Sequence, residues 1–126
     1  MACIGPAARL LPNKDALTFR MEMEDGTLRW VVVYRAGGHP QRVRFSLAHE
    51  LGHIVMKHHG TSEEEEREAD RFAGCLLCPR PALLSLPPEQ WSDRCFVSPA
   101  VAAIAARDPH PDVPKELWRQ VEALFG

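Results

Sequence analysis

The chain of 126 residues has no long hydrophobic run. Its longest uncharged apolar stretches are Trp30–Tyr34 and Ala100–Ala106, far shorter than the ~20 residues that span a bilayer. The N-terminal stretch 1–11 also lacks a basic start followed by a long apolar segment, which is the pattern of a secretory signal. The sequence therefore argues against a membrane protein, and we expect no membrane partner and no secretion.

The chain also has a small net charge and few cysteines. The formal net charge is −2, whereas a nucleic-acid-binding domain usually carries a basic surface, so we expect no direct nucleic-acid partner. There are four cysteines, of which Cys75 and Cys78 form the single C-x-x-C. A structural zinc site needs two further ligands at matching spacing. We therefore interpret these thiols as reduced, apolar core residues rather than as metal or redox groups.

Residues 16–34 predict a β-hairpin. Apolar and polar side chains alternate in its first half, which is the period-two pattern of a half-buried strand. The apolar set of that strand is Leu17, Phe19, Met21 and Met23. Asp25-Gly26 is a strong turn signal, and the alternation resumes after it. Because Val31 and Val33 fill the other face as well, we expect the second strand to be the more buried one.

The remainder of the chain predicts helices. Ser46 is a good N-cap for a first helix that continues to His58 and stops at Gly60, whereas residues 36–40 have the composition of a loop. Ser62 starts a second helix, with Glu65 in the position of a capping box. Short helices follow, and Ser98-Pro99 opens the clearest of them.

These elements predict an α+β fold in which a small N-terminal antiparallel hairpin packs on a mainly helical core. The length suits a single domain over residues 1–126. Within it we expect a hairpin and loop over 15–45, a helix pair over 46–79 and C-terminal helices over 80–126.

The segment Ala48–His53 reads His-Glu-x-x-His and carries the chemistry. His49 and His53 lie one helical turn apart, so both imidazoles can reach one ion at ~2.0–2.1 Å. Glu50 lies beside them, where it can deprotonate a metal-bound water. The alternative is an ordinary helix face with a solvated glutamate, but that alternative does not explain the acidic pair on the next helix.

Glu66 and Asp70 share a face of that second helix because they are four residues apart. Glu66 could complete a two-histidine, one-glutamate site, and Asp70 could accept the free ring N–H of a ligating histidine. Glu65 is the competing ligand, although capping already accounts for it. His58 and His59 follow the motif too closely to fold back onto the same ion, and we interpret them as surface groups or cations at the helix C-terminus.

The oxyanion of a zinc peptidase is often stabilised by a tyrosine or a histidine. Tyr34 is the only tyrosine of the chain, and His39 lies in a predicted loop. These two residues, and an arginine from 42–44, are the candidates for that role.

Two blocks of the sequence resemble the ImmA/IrrE family of zinc metallopeptidases. Residues 44–53 (RFSLAHELGH) are similar to the family's R-F-x-L-A-H-E-x-G-H segment. Residues 66–79 (EREADRFAGCLLCP) are similar to its E-x-x-A-[DN]-x-F-A-x-x-L-L-x-P segment. The matching region covers about residues 42–81, and both motifs occur in the family's order.

The resemblance implies a gluzincin-like site with one zinc ion per chain. His49, His53 and Glu66 would be the metal ligands, Glu50 the general base, and Asp70 the residue that orients a ligand. It also implies a cytoplasmic, bacterial or phage-borne endopeptidase. Its substrate would be a helix-turn-helix repressor that acts in a mobile element, a stress response or a toxin–antitoxin-like pair.

Two other functions remain as alternatives. A zinc-containing binding module could regulate a repressor by association, with little or no proteolysis. Direct DNA binding by residues 89–107 is disfavoured, because the apolar helix in that region offers few side chains that read bases.

Overall fold

The computed structural model describes residues 2–7, 15–35, 37–58, 62–108 and 115–125. The fold is α+β, as predicted, with strands preceding helices. In chain order the elements are β1 (Ala2–Ala7), β2 (Ala16–Glu22), β3 (Leu28–Arg35), α1 (Pro40–Val55), α2 (Glu63–Leu77), α3 (Arg80–Leu84), a 3₁₀ turn (Pro88–Gln90), α4 (Trp91–Cys95), α5 (Pro99–Arg107) and α6 (Lys115–Phe125).

The described strands form one sheet in the order β1–β3–β2. The predicted hairpin is confirmed: β2 runs antiparallel to β3, with Thr18 opposite Val32. Its turn contains Gly26 at a φ of 84°, a conformation that glycine adopts without a steric cost. β1 pairs in parallel with β3, Ala2 lying opposite Trp30. The sequence does not predict this strand, since it is short and contains both glycine and proline.

The burial of the hairpin follows from its packing on α1. β3 is the central strand, and Val32 is 3 % exposed, so the expectation of a more buried second strand is confirmed. On β2, however, Ala16 is buried and Thr18 half-buried, whereas Leu17, Phe19 and Met21 are exposed. The apolar set of the alternating pattern thus lies on the outer face, because α1 covers the face that carries Thr18 and Val32.

The first helix begins earlier than predicted. It starts at Pro40, and the side chain of His39 accepts a hydrogen bond from the backbone N–H of Gln41 as an N-cap. Ser46 is therefore inside the helix and is not its cap. Proline at the first helical position has a suitable φ and no N–H to satisfy, which explains why a segment with the composition of a loop forms a first turn.

The same helix ends at Val55, before the predicted end at His58. Lys57 has a φ of 57°, in the left-handed region, and this residue turns the chain away from the helix axis. Gly60, the predicted stop, lies outside the described residues.

The predicted caps of α2 and α5 are confirmed. Ser62 Oγ accepts from the backbone N–H of Glu65 at 3.1 Å, and Ser98 Oγ accepts from that of Val101 at 3.2 Å. The sequence predicts a short helix around Ala82–Leu86, and α3 starts slightly earlier, at Arg80. α6 carries its apolar face towards the core except for Trp118, which is 40 % exposed. The proline-rich composition of residues 108–113 predicts a loop, of which residues 109–113 lie outside the described residues.

The helices pack around two apolar clusters. Val55, Phe72 and Cys75 form the first, which joins α1 to α2 and is covered by α6. The second lies among α2, α3, α4 and α5, and consists of Cys78, Leu83, Cys95, Val97, Ala102 and Ala105. α1 and α2 approach closely at Gly52, where a Cβ would lie 3.0 Å from the ring of Phe72. This close contact fixes the distance between the two helices that carry the predicted site.

Among the described residues, none of the helices combines the length and the apolar character that crossing a membrane requires.

Candidate metal centre

The two histidines of α1 and a glutamate of α2 converge on one point. His49 Nε2 lies 3.0 Å from His53 Nε2, and the carboxylate of Glu66 lies 2.9 Å from the first and 3.1 Å from the second. One donor atom from each residue falls within 4.8 Å of the others. Two imidazole nitrogens and one carboxylate oxygen form a donor set that suits zinc and leaves a coordination position for water or substrate.

Asp70 contacts the other ring nitrogen of His49, Nδ1, which does not face His53 and Glu66. Its Oδ1 lies 2.7 Å from His49 Nδ1. Because an ionised carboxylate only accepts hydrogen bonds, His49 Nδ1 carries a proton and donates it to Asp70, so in the neutral imidazole Nε2 is the nitrogen that is free to bind a metal ion. Burial disfavours the charged imidazole, but the hydrogen bond and the charge of Asp70 outweigh it, so the pKa of His49 is raised. This is the contact that the sequence analysis expected of Asp70.

The pKa of His53 is shifted in the opposite direction from that of His49. Burial and the neighbouring charge of His49 lower the pKa of His53. A neutral imidazole is the form that binds a metal ion, so His53 is prepared for ligation near neutral pH.

Glu50 is held by the sheet. Thr18 Oγ1, on the half-buried face of β2, donates to Glu50 Oε2 at 2.5 Å. The sequence does not predict Thr18 as a site residue. It shows only that Thr18 is one of the polar residues of an alternating strand. The carboxylates of Glu50, Glu66 and Asp70 all line one polar cleft of about 280 Å³. Its other lining residues are Asp15, Ala16, Phe45, Ser46 and His49.

The interpretation of His58 as a surface group or helix-terminal cation is wrong. Its side chain is only 7 % exposed. Its Nδ1 lies 2.8 Å from His53 Nδ1, and its Nε2 lies 2.8 Å from Glu68 Oε2. The left-handed conformation of Lys57 turns the backbone back, so that the N–H of His58 donates to the carbonyl of His53. Glu68 therefore contacts the histidine cluster through His58. His59 lies outside the described residues.

Tyr34 and His39, the candidates for oxyanion stabilisation, are not among the residues that line the cleft. Tyr34 lies on β3, and His39 caps α1. Of the arginines, Arg42 pairs with Asp15 at 2.8 Å, and Arg44 donates to the carbonyls of Cys95 and Phe96. The role of any of them at an oxyanion stays a prediction.

Cys75, Cys78 and Cys95 are buried, which confirms their interpretation as core residues. Burial and the neighbouring Cys95 raise the pKa of Cys78 to about 12, so this side chain stays a thiol near neutral pH. Metal binding and redox chemistry need the thiolate, and among the described residues the group that could hold a metal ion contains no cysteine.

The sequence model of the Peptidase_M78 family, described as the IrrE N-terminal-like domain, matches residues 9–105. The matched region contains the hairpin, both helices of the metal centre and most of α5. The comparison with curated proteins finds no match.

Proposed function

We propose, on the premise that the chain belongs to the Peptidase_M78 family of IrrE N-terminal-like domains, that it is a zinc-dependent endopeptidase. The observation that carries this proposal is the convergence of His49 Nε2, His53 Nε2 and the Glu66 carboxylate beside Glu50. Metallopeptidase-type chemistry follows from the family, whereas the metal, the residue roles and the substrate are parts of the proposal.

Different residues of the site have different roles in peptide hydrolysis. His49, His53 and Glu66 would hold one zinc ion. When bound, zinc supplies Lewis-acid chemistry that lowers the pKa of water and polarises a carbonyl. Glu50 takes a proton from the attacking water and delivers it to the leaving amide nitrogen, which is general acid–base catalysis by one carboxylate. Asp70 and Thr18 keep His49 and Glu50 in place by the hydrogen bonds described above.

We further propose that the substrate is a helix-turn-helix transcriptional repressor in the cytoplasm of a bacterium. The regulatory setting would be a mobile element, a stress response or a toxin–antitoxin-like pair. The support for this part is the resemblance of the two motif blocks to the ImmA/IrrE family. The polar, open cleft is compatible with an extended peptide segment, but it does not select one sequence.

The test of the catalytic proposal is the variant Glu50→Gln, assayed against the proposed helix-turn-helix repressor. We expect it to bind one zinc ion per chain, measured by elemental analysis, and to lose cleavage by roughly 10²–10⁴-fold. Glu64→Gln, on the exposed start of α2, is the control and should retain cleavage. Undiminished cleavage by Glu50→Gln would contradict the role of Glu50, and failure of the wild type to bind zinc would contradict the whole proposal.

A second function is regulation of the repressor by association alone. The absence of Tyr34 and His39 from the cleft lining favours it, because oxyanion stabilisation contributes strongly to acyl-transfer catalysis. Size-exclusion chromatography of the zinc-loaded protein with the repressor separates the two functions. An intact, stable complex indicates association, and fragments of the repressor indicate proteolysis.

A further inference from the structure

His53 is contacted from behind by two side chains that the hydrolysis does not use. Behind its Nδ1 lies the nearly buried His58, and behind His58 lies the half-exposed Glu68 of α2. The three groups form a chain of two contacts of 2.8 Å, which leads from the surface of α2 to the imidazole beside Glu66. Asp70 occupies the corresponding place behind His49.

When His53 Nε2 is free to bind a metal ion, the hydrogen-bonding capacities of these groups give one consistent placement of the protons. The Glu68 carboxylate accepts, so His58 Nε2 carries a proton and donates it. A neutral His58 then presents a lone pair at Nδ1, and this lone pair accepts from the Nδ1–H of His53. His53 Nε2 is left without a proton, and this nitrogen faces the Glu66 carboxylate at 3.1 Å.

We propose that His58 and Glu68 are positioning residues, which hold His53 in the tautomer and ring orientation that binds a divalent metal ion such as zinc. The inference rests on the proposed function, since it assigns a role toward the same centre. With it, both histidines of the motif have an outer partner: Asp70 for His49, and the His58–Glu68 pair for His53. Such partners fix the tautomer and raise the basicity of a ligating histidine.

The local path of the backbone makes this arrangement possible. Lys57, with its φ of 57°, turns the backbone so that the His58 side chain returns to the centre instead of continuing along α1. Glu68 belongs to α2, so the pair links the end of the first ligand helix to the helix that carries Glu66.

The experiment measures zinc affinity by competition with a chromophoric chelator for the wild type, His58→Ala, His58→Gln and Glu68→Ala. We expect His58→Ala to weaken zinc binding 10- to 100-fold, the usual effect of removing an outer partner. Glu68→Ala should weaken it less, because His58 stays in place. His58→Gln should restore most of the affinity, since its amide oxygen can accept from His53 and its amide NH₂ can donate to Glu68.

Two readouts separate positioning from a general structural role. The Co²⁺-substituted protein should show an altered visible spectrum in His58→Ala but not in His58→Gln, because the spectrum reports ligand geometry. Thermal unfolding of the metal-free proteins measures folding alone. The control Glu64→Ala lies on the same helix, is exposed, and should leave affinity and spectrum unchanged.

If His58→Ala fails to fold, Glu68→Ala carries the test, because alanine on an exposed helix position favours the helix. Wild-type zinc affinity in both His58→Ala and Glu68→Ala, or in Glu68→Ala alone where His58→Ala does not fold, would overturn the inference and leave the metal centre standing. A wild type that binds neither Zn²⁺ nor Co²⁺ would instead overturn the proposed function, and the inference with it.

Discussion

At the scale of single residues, Thr18 ties the sheet to the candidate general base. Its hydroxyl donates to one oxygen of Glu50. A carboxylate that is held by a hydrogen bond loses rotamer freedom, and this restricts Glu50 to the orientation in which it lines the cleft. The contact joins β2 to α1 near the middle of the site.

We expect Thr18→Val to lower kcat/KM because it removes a hydrogen bond to a charged group while keeping the shape of the side chain. Such bonds contribute about 1.5–3 kcal/mol, which corresponds to roughly 10- to 100-fold in rate. Steady-state cleavage of the repressor substrate measures the effect. Thr18→Ser keeps the hydroxyl and is expected to retain most activity; equal losses in both variants would show that the hydroxyl is not responsible.

Cys78 offers a prediction that is independent of the metal. Its pKa is raised to about 12, and the thiolate is the form that reacts with alkylating reagents. We expect iodoacetamide at pH 8 to modify Cys78 roughly a thousandfold more slowly in the native protein than in the urea-unfolded chain. Mass spectrometry of the time course gives both rates, and equal rates would contradict the assigned burial.

The raised pKa of Cys78 also makes the stability of the native state depend on pH. Because the native state raises this pKa above the ordinary value of 9.0, the native state holds the proton that the unfolded chain releases. The stabilisation is complete below pH 9 and is lost as the pH rises towards 12. Urea unfolding at pH 8 and at pH 10.5 should therefore give a smaller free energy of unfolding at the higher pH.

Local spacing predicted much of the site at this scale. His49, Glu50 and His53 share one helix, and Glu66 and Asp70 share the next, so the periodicity of a helix places each set on a face. Thr18 is far away in sequence, and its contact depends on how the sheet packs on α1. The approach of His58 depends on a left-handed lysine, which no local preference predicts.

At the scale of elements, Gly52 sets the approach of the two ligand helices. A Cβ at this position would lie 3.0 Å from Phe72 Cδ1 and 3.3 Å from the Cα of Ala69. We expect Gly52→Ala to destabilise the protein by about 1–3 kcal/mol, the range for overpacking a dense contact. Urea-induced unfolding followed by circular dichroism measures the change. The variant should also weaken zinc binding, because the ligands lie on both helices.

Gly74 is the matched comparison on the far half of α2. A Cβ there would meet only Ala105 Cβ, at an ordinary contact distance of 3.9 Å. Alanine is a better helix former than glycine by roughly 0.8–1.0 kcal/mol, so we expect Gly74→Ala to leave stability unchanged or raise it by up to that amount. A loss similar to that of Gly52→Ala would contradict the close-contact explanation.

The elements differ in how well their boundaries follow from sequence. α2 and α5 begin at serines whose hydroxyls cap them, as the local chemistry predicts. α1 instead begins at a proline behind a glycine-rich segment, and a capping histidine makes this start possible. The sequence of β1 does not alternate between apolar and polar residues. Its pairing with β3 stabilises it as a strand.

At the scale of the whole molecule, the candidate metal centre joins α1 to α2. An ion that binds the native state and not the unfolded chain stabilises folding, by about 2.7 kcal/mol when its free concentration is 100 times its Kd. We expect a chelator to lower the melting temperature of the wild type and to leave that of Glu66→Ala unchanged. Differential scanning calorimetry with and without zinc measures both, and equal shifts in the two proteins would mean that the ion acts elsewhere.

The parallel pairing of β1 with β3 has a consequence for the order of folding. The ribosome makes residues 2–7 before residues 28–35, yet the former have no place in the sheet until the latter exist. The hairpin and the α1–α2 pair need only contacts between neighbours in sequence, and such contacts close quickly because their loops are short. Among the described strands, β1 is therefore made before β3 and can pair only once β3 has been synthesised.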